Sequence, residues 1–142
     1  METVFRFTVR SLCFHNGSIL LEFQKRHPEV YYFPGGGLEL GESFEECLQR
    51  EYQEETNTKI SQADYLFVVE NIFVYEQKIL HSVEHFYKVS LDTYDINSKS
   101  GAFVHEWISL DKMNNLDIRP KIVKKAILDG SWKTEKHFSN KR

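Results

Sequence analysis

Apolar and polar residues alternate over residues 4–9, with Phe5, Phe7 and Val9 on one side, which predicts a half-buried strand. Residues 12–14 continue that strand or bend it through a bulge. Asn16-Gly17 is a strong hairpin turn signal, and Ser18–Gln24, rich in Ile and Leu, is the returning strand, closed by Lys25-Arg26. Residues 27–33 read as a loop fixed by Pro28 and Pro34, with Tyr31, Tyr32 and Phe33 adding aromatic surface. Residues 65–75 and 79–91 are long β-rich segments joined by a turn at Glu76-Gln77-Lys78. Polar residues 92–101 predict a loop, and residues 103–110 a strand on which Trp107 is half buried and structural. Residues 117–130 read as a helix with Pro120 in its first turn, a core stripe of Ile122, Val123, Ala126 and Ile127, and Gly130 as the stop. Residues 133–142 are polar and expected to fray.

A second helix reads more sharply. Ser43 with Glu46 three residues on forms a capping box, and Asn57 tolerates the left-handed conformation that ends helices. At 100° per residue, Phe44, Cys47, Leu48 and Tyr52 make one apolar stripe. Glu45, Glu46, Gln49, Arg50, Gln53 and Thr56 fall on the polar side. Glu51 and Glu55 fall inside the stripe, and Glu54 at its edge beside Cys47. An ionised carboxylate is costly to bury without a compensating cation. Residues four apart are helix neighbours, so Glu51 and Glu55 can hold one cation between them, with Glu54 close. Oxygen-only ligands suit Mg²⁺ or Mn²⁺. Neutralisation by Arg50 or a distant lysine is the alternative, and a solvated acidic face accounts for Glu45 and Glu46.

Composition narrows the classes. The 142 residues are 41% hydrophobic and 27% charged, as in an ordinary globular protein, and are expected to form one domain. A net charge of −3 gives no reason to expect a nucleic-acid polymer as partner, so an anionic nucleotide would have to be held locally. Cys13 and Cys47 stand alone and read as reduced, buried thiols. No 18-residue apolar run and no signal-peptide pattern occurs, so no membrane is expected as partner and the expected location is cytoplasmic. The exposed β-rich segments are compatible with a homodimer.

Gly36, five residues, Glu42, seven residues, then Arg50-Glu51-Tyr52-Gln53-Glu54-Glu55 resembles the Nudix box of the MutT-like hydrolases, which here runs from Gly36 to Thr58. Tyr32-Phe33-Pro34-Gly35-Gly36 resembles the family's lead-in, and Glu106-Trp107-Ile108-Ser109-Leu110 a late family strand. Departures are Asn57 where a glycine is expected, and Tyr52 and Thr58 at aliphatic positions; none of the charged positions is lost. The resemblance implies an α+β fold (an α/β/α sandwich), with a curved mixed sheet between helices. It implies metal-dependent hydrolysis of a pyrophosphate bond in a nucleoside diphosphate linked to another moiety. Glu51 and Glu55 are then metal ligands, Glu54 a further ligand or the general base, and Arg50 the residue that orients the glutamates. Glu42 and the carbonyls of Gly35 or Gly36 shape the loop and touch metal or substrate, and Arg26 is a secondary substrate-facing candidate. Some branches place the base on a later loop, which here offers Asp92 and Asp95 but no Glu. A Nudix scaffold that senses a nucleotide without hydrolysing it is the other reading, and no second motif identifies the nucleotide.

Overall fold

The computed structural model describes residues 1–98 and 101–141. Among the described residues, ten strands form two mixed sheets. The first has the order β10 (His137–Lys141), β6 (Ile60–Tyr75), β7 (Lys78–Leu91), β1 (Glu2–Leu12), β5 (Gly35–Gly37). The second is organised on β3 (Ser18–Gln24), which pairs antiparallel with β2 (Phe14–His15), β4 (His27–Tyr32) and β8 (Phe103–Ser109); β9 (Asp117–Arg119) runs parallel to β4. The α+β expectation holds, with the mixed sheet divided in two and accompanied by helices α1 (Phe44–Thr56) and α2 (Lys121–Asp129).

The turn chemistry explains the hairpins. Asn16 and Gly17 both take positive φ (49° and 75°), as the tight β2–β3 turn requires, and Glu76 and Gln77 do the same (46° and 62°) between β6 and β7. One core lies between the sheets, where Ile19, Leu21 and Ile108 of the second sheet meet Leu12, Phe67, Val69 and Phe86 of the first, closed by Val123 of α2. A second lies under α1, where Cys47, Leu48 and Tyr52 meet Val9, Leu20, Tyr87 and Val89. Both cysteines are free and buried, and burial pushes each thiol up to about 12.

Several expectations are corrected. Residues 27–33 are not a loop: His27–Tyr32 form β4, where a register shift against β3 accommodates the chain around Pro28 and buried Val30 anchors it. The glycine run is itself a strand, with Arg10 opposite Gly35 and Val9 opposite Gly36. The helix expected from residue 117 begins at Lys121, because residues 117–119 pair with β4 and Pro120 is the cap. The tail expected to fray instead runs parallel to β6 over His137–Lys141, with Phe138 packed on Phe67 and Asn140 donating to Asn71 Oδ1 at 2.7 Å. Phe5 and Phe7 share Val9's side of β1 but stay exposed, where Phe7 and Phe44 stack against His85. The loop expected over residues 92–101 carries no strand or helix among its described residues; Lys99 and Ser100 lie outside them, as does Arg142.

Candidate active site

The carboxylates are presented by α1, and its start is fixed as the capping box predicts. Ser43 Oγ accepts from Glu46 N at 3.1 Å, and Glu46 Oε1 accepts from Ser43 N at 2.8 Å. Asn57 closes the helix in the left-handed region (φ 58°, ψ 34°). Between these ends Tyr52 anchors the helix: the ring is buried and its hydroxyl lies 2.6 Å from Ser11 Oγ on β1, so its polar atom is satisfied inside the core. Thr56 is buried rather than on the solvated face, where its hydroxyl donates to Tyr52 O at 2.7 Å.

The helical phase places the glutamates as read. Glu51 and Glu55 side chains are 13% and 16% exposed, and Glu54 is 60% exposed. Arg50 sits in the middle of the group. It donates to Glu42 Oε1 and Oε2 at 2.8 and 3.0 Å, to Glu51 Oε1 at 2.9 Å, and to Gly37 O at 3.1 Å, with Glu54 Oε2 at 3.5 Å. The Glu42 carboxylate, held by Arg50 and by the Glu39 N–H, is depressed to about 2. Glu51 moves the other way: burial and then the Glu55 charge raise its pKa, against the pull of Arg50.

The glycine lead-in fits around this carboxylate. A Cβ on Gly36 would fall on the Glu51 carboxyl group, so only glycine leaves that group in place. Gly35 has φ +147°, and a Cβ there would strike the Val9 carbonyl oxygen of the paired strand.

Two residues absent from the sequence reading complete the cluster. Glu22 on β3 and His105 on β8 are cross-strand partners whose side chains are almost wholly buried. His105 Nε2 lies 3.2 Å from Glu22 Oε1 and 3.5 Å from Glu55 Oε2. Burial works to lower the imidazole pKa, but the two carboxylates outweigh it and lift it to about 9. The signal for Glu22 was available: it sits two residues after Leu20 in an apolar strand, in phase with the core.

Glu22 also lines a cavity of about 310 Å³ that reaches Arg10, Tyr32, Phe33, Glu84, Phe103 and Arg119. Arg119 is held by Asp117 through two hydrogen bonds of 3.2 and 3.0 Å, and Glu84 Oε2 accepts from Asn71 Nδ2 at 3.0 Å. Arg26 is not among the lining residues; it lies on the exposed turn between β3 and β4, and Arg10 and Arg119 supply cations to the cavity instead. Asp92 and Asp95 are exposed on their loop.

The donor set fits a divalent cation. Carboxylates of Glu22, Glu42, Glu51, Glu54 and Glu55 face one guanidinium and one imidazole, and Arg50 makes its bidentate contact with Glu42. With five carboxylates against two cationic groups, the cluster around Glu51 and Glu55 keeps a negative excess that a metal would offset.

Mixed sheets that carry a carboxylate helix behind a glycine strand match the frame of the MutT-like hydrolases, a class that acts on phosphoanhydride bonds. The NUDIX domain model matches residues 5–127, and the chain belongs to the Nudix family. Among solved structures, the MutT NUDIX hydrolase of Burkholderia pseudomallei is 26% identical, with 76% of this chain and 85% of that one covered and a TM-score of 0.65. The MutT protein of Bacillus halodurans is 21% identical (96% and 90% covered, TM-score 0.74), and the ORF135 protein of E. coli 20% identical (91% and 91%, TM-score 0.66). These last two, near one-fifth identity, speak to the fold. Among the described residues no helix is long and apolar enough to cross a membrane.

Proposed function

We propose that this chain hydrolyses the pyrophosphate bond of a nucleoside diphosphate linked to another moiety, with Mg²⁺ or Mn²⁺ held by Glu51 and Glu55. The observation that carries this reading is the pair of mostly buried carboxylates at helical spacing with one shared guanidinium between Glu42, Glu51 and Glu54. When bound, the metal offsets charge on the phosphates and activates water for in-line attack. Glu54, exposed at the stripe's edge, is free to take a proton from that water or to add a ligand. Arg50 fixes the Glu51 carboxylate and, through Glu42, the loop in front of it. The Gly35 carbonyl is a further ligand candidate, and Gly36 leaves room for Glu51. The base and sugar are assigned to the cavity, where Phe33, Phe103 and Tyr32 offer rings and Arg10 and Arg119 offer cations. The same reading takes residues 1–142 as one domain.

The test is a panel of dinucleoside polyphosphates, nucleotide sugars, coenzyme A, ADP-ribose and oxidised triphosphates. At least one member is expected to be cleaved at its pyrophosphate with Mg²⁺ and spared with excess chelator. Tight binding of a nucleotide with no turnover in either condition would make the protein a sensor and overturn the reading.

A further inference from the structure

The buried cluster of Glu22, Glu55 and His105 is more than a support for α1. One ligand atom from each lies within 4.8 Å of the other two. Glu22 is 2% exposed and the His105 side chain 0% exposed, yet neither Glu22 Oε1 nor His105 Nε2 makes a hydrogen bond. Their 3.2 Å contact with each other lacks hydrogen-bond geometry, so two buried polar atoms share one space without a satisfied hydrogen bond, which costs free energy. The other edge of the ring is already engaged: Nδ1 lies 3.2 Å from Ser98 Oγ, which accepts from the backbone N–H of His105 at 2.8 Å. A metal-ligating imidazole is held in this way, with its second nitrogen tied to a neighbour. The charges impose a further condition. Two carboxylate oxygens at 3.2 and 3.5 Å from Nε2 require a positive charge among them, which either a metal ion or a proton on Nε2 supplies. Glu22 also lines the large cavity, which gives an ion a way in.

We propose that Glu22, Glu55 and His105 form a second divalent-metal site, distinct from the Glu51–Glu55 site, that takes a transition ion such as Mn²⁺, Co²⁺ or Zn²⁺ rather than Mg²⁺. An imidazole nitrogen beside two carboxylates suits those ions, whereas Mg²⁺ prefers oxygen alone. The proposal rests on the preceding reading through Glu55, which the two sites share. The competing arrangement is a structural imidazolium clamped between two carboxylates.

The two are separated by pulsed EPR on chelator-stripped protein reloaded with Mn²⁺. Every other candidate ligand at the glutamate helix is an oxygen, so a directly bound histidine nitrogen is diagnostic. The expected spectrum of the wild type has ¹⁴N coupling from a bound imidazole. In His105→Gln the coupling is lost and the number of Mn²⁺ ions bound falls by one, while Mg²⁺ still raises the melting temperature. Should His105→Gln fail to fold, Glu22→Gln is the second variant, expected to weaken Mn²⁺ binding about tenfold or more. Mn²⁺ bound through oxygen alone in the wild type, or ¹⁴N coupling that persists in His105→Gln, overturns the second site and leaves the Glu51–Glu55 site standing. A protein that binds no Mn²⁺ at all overturns both.

Discussion

Glu54→Gln is expected to lower turnover by about 10²–10⁴-fold, the range for a lost general base, with little change in stability. The Glu54 side chain is 60% exposed and contacts Arg50 at 3.5 Å, so the substitution removes charge without opening a cavity. One crowded negative charge also disappears. Glu45→Gln is the control, because Glu45 lies in the first turn of the same helix on its solvated face. Its turnover should stay near wild type. Equal losses in both variants would show that helical phase does not select the reacting carboxylate. Full activity in Glu54→Gln would move the base elsewhere, and Glu84, which lines the cavity, would be tried before exposed Asp95.

Alanine at the two neighbouring glycines is expected to separate folding from catalysis. At Gly35 the added Cβ meets the backbone of Val9 and Arg10, which cannot yield without breaking the β1–β5 pairing, and φ is +147°. Backbone strain and overpacking each cost about 1–3 kcal/mol, so Gly35→Ala should destabilise by roughly 2–6 kcal/mol. At Gly36 the added Cβ meets the Glu51 carboxyl group, the end of a side chain that can swing away. That movement gives up the 2.9 Å contact with Arg50 and displaces a proposed metal ligand. Gly36→Ala should therefore melt much closer to wild type yet lose on the order of 10²-fold in turnover, the effect of a small misplacement at a reacting centre. Chemical denaturation paired with turnover measurements distinguishes the two. Similar losses of both quantities in both variants would contradict the assignment.

What the sequence disclosed follows from which forces act locally. The limits of α1 were legible because a capping box and a left-handed Asn are written within a few residues. The orientation of Glu51 and Glu55 was legible because helical phase is set by spacing alone. Tyr52 kept its place in the stripe because Ser11, 41 residues away, satisfies its hydroxyl. Pairings over long sequence separations were not legible. Nothing near His105 announces that it lies opposite Glu22, 83 positions earlier, and the polar tail gains its strand only by borrowing the edge of β6. Residues 27–33 read as a loop because Pro28 and Pro34 punctuate them, whereas the strand is anchored by a single buried residue, Val30. Arg26 drew notice from its position after β3, while Arg10 and Arg119 reach the cavity from strands whose neighbours only the topology reveals.

The central claim is that Glu51 and Glu55 hold a divalent cation in the folded protein, and a melting curve with and without Mg²⁺ tests it most directly. A ligand of the native state at about 100 times its Kd adds about 2.7 kcal/mol, which for a chain of this size is roughly 5–10 °C. The wild type should show that rise at millimolar Mg²⁺, and Glu51→Gln should lose most of it. A wild-type melting temperature indifferent to millimolar Mg²⁺ and Mn²⁺ would contradict the account.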